Sequence, residues 1–321
     1  MDQRQHPASR LTRFGPLPER VSVYEVGPRD GLQNELRAIP TRDKLRLIEA
    51  LIAAGEERIE LTSFVSPKWI PQLADADEVV RQIPRRKGVS FSALVPNLKG
   101  LSRARDAGLE EGAIFISASE AHSRKNINKT IDEALATSRE VVRASRDAGM
   151  RVRGYLSVVW GCPYEGPVAV DRVVDICRQL VDMGLYQLSL GDTIGIGTPG
   201  QTQEILERLT EHIPVEKLAL HMHDTRGTAL ANALVGLAMG VTTFDASVGG
   251  LGGCPYAPGA AGNLATEDLV FMLHGLGIET GIDLDKLVEA GALAQELIGR
   301  KLAGKYLQAA LGSAERAQRG R

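Results

Sequence analysis

The stretch Lys217-Leu218-Ala219-Leu220-His221-Met222-His223-Asp224 decides the reading of this chain. Its apolar run, Leu218-Ala219-Leu220, has the length of a buried strand and ends in two histidines spaced two apart. Side chains two apart on a strand point to the same face. Both imidazoles therefore converge just past the strand end, while Met222 faces away. In a barrel of parallel strands, that end is where active sites are built. Two histidines on one face, joined by a carboxylate and an amide from other strands, make a site for a divalent metal. The plainer alternative is a pair of hydrogen-bonded polar groups closing a strand.

Working outward, short β-rich runs alternate with longer helical patterns. Strands are expected at 21–26, 58–62, 90–95, 113–117, 151–159, 186–190, 218–221 and 243–247. Helices are expected at 41–54, 75–82, 98–107, 131–148, 170–183, 201–212 and 228–239. Such alternation with short links argues for a parallel sheet. Eight units, each strand a near-continuous apolar run, predict a closed α/β TIM (β/α)8 barrel over an open doubly wound sheet. No Gly-x-Gly-x-x-Gly follows the first strand, so a dinucleotide fold loses its main support. The expected organisation is a flexible tail over 1–19, a catalytic barrel over 20–275 and a C-terminal helical extension over 276–321. That extension holds a helix over 283–302 and a frayed end over 313–321.

A length of 321 residues with 43% hydrophobic content suits one large barrel. The net charge of −2, with no long block of one sign, disfavours nucleic acid or a membrane surface as partner. No run of 18 apolar residues exists to span a bilayer. Three cysteines, Cys162, Cys177 and Cys254, are far apart and odd in number, which fits a reducing compartment without a disulfide framework. The first 19 residues lack the apolar stretch of a secretory signal. Their arginines leave a transit-peptide reading open, against which Asp2, Pro7, Pro16 and Pro18 count. A cytoplasmic location is the resulting expectation.

Chemistry follows the strand ends. The first strand leads to Arg29 and Asp30, which could also be a local ion pair. Glu60 lies inside the second strand, where an unpaired charge costs several kcal/mol or more, so Arg29 or a metal-bound group is its expected partner. A basic, polar loop at 122–126 holds Arg124, Lys125 and Asn126, either as a solvated face or as a grip on the phosphates of a large ligand. Asp192, in Gly-Asp-Thr-Ile-Gly, either caps a turn or serves the site. Four glycines in the five residues before Cys254 predict a loop that can move and carry a thiol to substrate. A thiol of pKa about 8.5 is a competent proton donor near neutrality, whereas Cys162 and Cys177 read as small buried hydrophobes. Asn263 could complete a coordination sphere with Asp30, His221 and His223. That set of two nitrogen and two oxygen donors suits Mg²⁺ or Mn²⁺, with Zn²⁺ or Co²⁺ not excluded by ligand type.

These residues carry a resemblance. Residues 25–35 (Glu-Val-Gly-Pro-Arg-Asp-Gly-Leu-Gln-Asn-Glu), 62–69, 161–166, 189–195 and 250–257 (Gly-Leu-Gly-Gly-Cys-Pro-Tyr-Ala) together resemble the 3-hydroxy-3-methylglutaryl-CoA lyases, colinearly from about 21 to about 300. The resemblance implies Asp30, His221, His223 and Asn263 as ligands of a divalent metal. It implies Arg29 as the enolate-stabilising arginine, Cys254 as the proton-handling cysteine, and Glu60 and Asp192 as acids needed in the site. Cleavage of the acyl-CoA thioester to acetyl-CoA and acetoacetate, a homodimer and a place in leucine degradation are implied with it. Departures are Leu36, where lysine is common, Leu61, Arg226 in place of a tyrosine, and Trp160 before Gly-Cys-Pro-Tyr. The last two, expected near the mouth, bear on acyl specificity. Competing readings are a lyase of citramalyl-CoA or a longer 3-hydroxyglutaryl-CoA analogue, a Claisen-type synthase, and a catalytically dead barrel.

Overall fold

The computed structural model describes residues 15–252 and 262–319. Eight parallel strands, β1 (Ser22–Glu25), β2 (Arg58–Ser63), β3 (Ser90–Leu94), β4 (Glu111–Ser117), β5 (Arg151–Ser157), β6 (Gln187–Asp192), β7 (Leu218–Met222) and β8 (Thr243–Ala246), pair in chain order and close with β8 beside β1. The helices between and after them are α1 (Thr41–Ala53), α2 (Ala76–Gln82), α3 (Leu98–Asp106), α4 (Glu120–Ile127), α5 (Ile131–Asp147), α6 (Val170–Asp182), α7 (Pro199–Thr210), α8 (Ala229–Ala238), α9 (Thr266–Gly275), α10 (Leu284–Ile298) and α11 (Lys305–Arg319). The fold is the expected TIM barrel. No helix among the described residues is long and apolar enough to cross a membrane.

Local chemistry places the boundaries. Thr130 and Glu133 form a capping box that starts α5, and Thr198 and Gln201, with Pro199 behind, form another at α7. Asp283 caps α10, which stops at Gly299 in the left-handed region (φ 78°). Two expectations are corrected. Residues 122–126 are not a loop but part of α4, because the Ser119 hydroxyl accepts the His122 amide and caps a helix there (3.1 Å). The end of the chain is not frayed over 313–319, because α11 continues through Arg319. Arg20 pairs with the extension at Glu279, joining the start of the barrel to its end.

The barrel interior is unusually polar. Arg153 on β5 makes a two-pronged ion pair with Asp245 on β8 (3.0 and 2.5 Å), both fully buried. Gln187, Thr243 and Ser189 complete the layer. On the outer side of β1, Glu25 takes the amides of Gly27 and Val248 and the hydroxyl of Thr266. Glu267 takes the Gly249 amide (2.8 Å). Glu56, beside these two acids, is buried with no partner for either oxygen among the described residues.

Burial first, and mutual repulsion second, push Glu56 well above the usual carboxylate range. Burial also raises Glu25 to about 7 and Glu267 to about 8. A raised acid favours folding fully below its unfolded value near 4.5, and loses that contribution as pH climbs through the folded value. Stability should therefore fall between pH 6 and pH 8.5. Glu56→Gln, which cannot ionise, is expected to raise the melting temperature more at pH 8.5 than at pH 6. Equal shifts at the two pH values in thermal unfolding would refute the coupling.

Candidate active site

Strand β1 runs into a single π-helical turn, Gly27–Gly31, in which the Val26 carbonyl accepts the amides of Arg29, Asp30 and Gly31. Glycine is required at Gly27, since a Cβ there would lie 2.5 Å from the Glu25 carboxylate. The turn throws Arg29 and Asp30 over the C-terminal mouth of the barrel. Arg29 Nε donates to Glu60 (2.5 Å) and Nη1 to Asp30 (2.5 Å), while Tyr155 donates its hydroxyl to Glu60 (3.1 Å). The third guanidinium nitrogen, Nη2, has no partner among the described residues, and Arg29 and Asp30 both line the cavity. Burial pushes Glu60 up and Arg29 only partly offsets it. Burial also opposes the Asp30 carboxylate, but Arg29, His221 and His223 outweigh it and hold the group at about 2.

His221 and His223 sit on one face, as the strand periodicity requires. Their Nε2 atoms approach to 3.3 Å, and His221 Nε2 lies 3.8 Å from Asp30 Oδ2. His221 Nδ1 donates to Asp245 (3.2 Å), whose carboxylate is held well below its usual range by Arg153 despite burial. That bond fixes the tautomer and leaves the Nε2 lone pair for the site. Burial, then His221, lower His223 to about 4, so it is neutral at pH 7. Its Nδ1 has no partner among the described residues. A carboxylate oxygen and two imidazole nitrogens thus converge within 4.8 Å of one another, a donor set that fits a divalent cation. Asn263 is adjacent, bridged to His223, but it meets the group through its amide nitrogen, which donates to Asp30 Oδ2 (2.8 Å) and to the Leu251 carbonyl (2.9 Å).

Arg29, Asp30, His221 and His223 line a cavity of about 710 Å³, which extends to Lys125 and Asn126 on α4. Lys125 Nζ lies 3.8 Å from the centre of the Tyr164 ring. Cys254 lies outside the described residues. Its near stem, Gly252, packs against Asp30 and Asn263, since a Cβ there would be 2.4 Å from Asn263 Nδ2.

Three expected site positions are relocated. The Asp192 carboxylate does not line the cavity: it is buried and accepts the amides of Ile196 (3.0 Å) and Gly197 (2.8 Å), shaping the loop after β6. Trp160 does not narrow the mouth, because it is buried in the barrel wall with its indole donating to Thr202. Arg226 is spent on the carbonyls of Ile194 and Gly195. Cys177 is a fully buried apolar residue as expected, whereas Cys162 accepts from Ser119 and the Tyr164 amide. Sequence reasoning missed Asp245 and Arg153, which orient His221. Their signal was a charge inside each of two strands.

The HMGL-like family model matches residues 20–294. The chain belongs to the HMGL-like family. Among its relatives, the bovine mitochondrial hydroxymethylglutaryl-CoA lyase is 53% identical over 94% of this chain and 93% of its own. The crystal structure of the Bacillus subtilis HMG-CoA lyase superposes with a TM-score of 0.90 at 50% identity, over 92% of this chain and 99% of that one. An Acinetobacter baumannii HMG-CoA lyase in complex with coenzyme A and 3-methylmalate superposes with a TM-score of 0.87 at 40% identity, over 91% and 95%. The cytoplasmic expectation is corrected by these relatives. Family members of this similarity include mitochondrial proteins as well as bacterial ones, so the polar character of residues 1–19 does not place the chain.

Proposed function

We infer that the protein is a carbon–carbon lyase that cleaves 3-hydroxy-3-methylglutaryl-CoA to acetyl-CoA and acetoacetate. The carrying observation is the meeting of Asp30 and two histidines beside a buried arginine with one free arm, inside a cavity that reaches a cationic mouth. Full-length identity to proteins named for this activity supports it, and so does a relative's structure with coenzyme A. The homodimer and the place in leucine degradation belong to the same reading.

Asp30, His221 and His223 would hold a divalent cation, Mg²⁺ or Mn²⁺, with Asn263 as the fourth ligand on turning its amide oxygen inward. When bound, the cation supplies a Lewis acid that polarises substrate oxygens. The chain's own groups do the rest. A base takes the C3 hydroxyl proton; His221, oriented through Nδ1 by Asp245, would serve the site as a ligand at Nε2. The C2–C3 bond breaks, and its electron pair passes into the thioester as an enolate. Arg29, held by Glu60 and Asp30, offers Nη2 to the developing negative charge. Cys254 returns a proton to C2, giving acetyl-CoA. Lys125 and Asn126 meet the anionic parts of the thioester at the mouth.

Acetoacetate release with Mg²⁺, repeated in excess EDTA, tests both halves. Rapid release that EDTA abolishes is expected. Release that survives EDTA would overturn the metal role. No release with Mg²⁺ or Mn²⁺ would overturn the substrate, and citramalyl-CoA would be assayed next.

A further inference from the structure

The connection from α10 to α11 lies across three mouth loops at once. Arg300 pairs with Glu35, which follows the Arg29–Asp30 turn. Leu302 is buried and fills the space above Gly249 so closely that a Cβ on that glycine would lie 2.4 Å from it. Gly249 adopts φ +64°, and its carbonyl accepts the Gly304 amide (2.9 Å). Asp268 on α9 accepts the amides of Lys305 and Tyr306 (3.0 and 2.6 Å), which fixes the start of α11. From that fixed start, Lys305 Nζ reaches Asp224 (2.9 Å), the residue after His223. Asp224 in turn donates its amide to the Gly262 carbonyl (3.0 Å), the residue before Asn263, and accepts the Ala229 amide on its carboxylate. The segment therefore grips one stem of the Cys254 loop at Gly249 and, through Asp224, the other stem at Gly262.

We propose that this connection is a clamp, and that Lys305 is a positioning residue that acts through Asp224 to set His223 and Asn263 at the metal group. The proposal rests on the metal reading given above. The Lys305 side chain is 73% exposed, and an exposed ion pair adds little to fold stability. Its effect on the site is thus separable from an effect on folding. A direct hydrogen-bond partner of a metal ligand is typically worth about 10–100-fold in affinity. Lys305 stands one bond further out, and on the order of 3- to 10-fold is expected from the same principle.

The test is calorimetric titration of the full-length protein with Mn²⁺, alongside steady-state kinetics and thermal unfolding, for wild type, Lys305→Met, Lys305→Arg, Asp224→Asn and the double variant. Lys305→Met should weaken Mn²⁺ binding, lower kcat with KM little changed, and leave the melting temperature in place. Lys305→Arg should restore both readings, and the double variant should be no worse than Asp224→Asn alone. Wild-type Mn²⁺ affinity in Lys305→Met would overturn the clamp and leave the metal reading intact. A wild-type protein that takes up no Mn²⁺ would overturn the metal reading, and the clamp with it.

Discussion

Replacing Arg29 with glutamine should lower kcat by about 10²–10³-fold, the range seen when one preorganised donor to a developing oxyanion is removed, equivalent to about 2.7–4 kcal/mol of transition-state stabilisation. The geometry argues for the upper end. The guanidinium is buried and anchored at two nitrogens, by Glu60 at 2.5 Å and Asp30 at 2.5 Å, so the charge it presents through Nη2 costs no reorganisation when the enolate forms. Glutamine keeps a donor but loses the charge and both anchors. It also strips Glu60 of its only cationic hydrogen-bond partner among the described residues, and Glu60, already raised by burial, will take up a proton instead of remaining an unpaired ion. Asp30, held at about 2 partly by Arg29, stays ionised at neutral pH because the Asn263 amide still donates to its Oδ2 and an ordinary aspartate ionises well below pH 7. Mn²⁺ binding should therefore change far less than kcat. A variant that keeps kcat within about threefold of wild type would remove Arg29 from the chemistry. A variant that loses Mn²⁺ binding as steeply as kcat would make the arginine an organiser of Asp30 instead.

The barrel was legible because its signals are local. Each strand is a short apolar run, and the observed strands start and end within two residues of the expected runs. His221 and His223 were legible for the same reason: a period of two places both on one face without reference to the rest of the chain. What the sequence withheld is which polar groups face one another across the barrel. Asp192 and Asp245 both sit in apolar strands, and nothing local says that one is turned into its own loop while the other is directed at His221. The helix α4 escaped because its cap, Ser119, precedes a polar stretch with no apolar stripe. Trp160 and Arg226 were misplaced at the mouth for the converse reason. Both are adjacent in sequence to site motifs, yet each bonds away from the cavity, to Thr202 and to the carbonyls of Ile194 and Gly195. Their partners belong to the loop after β6 and the helix beyond it, a contact that only the closed barrel creates.

Cys254→Ala should lower kcat by about 10²–10⁴-fold, the usual worth of a positioned proton donor, with little change in KM or Mn²⁺ affinity. The near stem of the Cys254 loop is in place, with Gly252 against Asp30 and Asn263. Only a small side chain can be tolerated at the near stem, since Gly252 adopts φ +100° and a Cβ would collide with the Asn263 amide. Among the described residues, neither Arg29, which does not titrate near neutrality, nor Asp30, which is ionised, can protonate the carbanion formed at C2. Without the thiol, C–C cleavage can still occur but the enolate must wait for water or recombine with the bound ketone, so net turnover falls while substrate binding persists. Serine at this position, with a hydroxyl far less acidic than a thiol of pKa about 8.5, should rescue little. Exchange of the acetyl-CoA methyl hydrogens with deuterated solvent isolates the step, because it needs proton transfer at C2 and no C–C cleavage. Wild type should catalyse that exchange when the second product or an analogue is bound, and Cys254→Ala should lose it in proportion to kcat. If exchange survives while turnover falls, the thiol acts elsewhere in the cycle, and the proton at C2 comes from another group or from water.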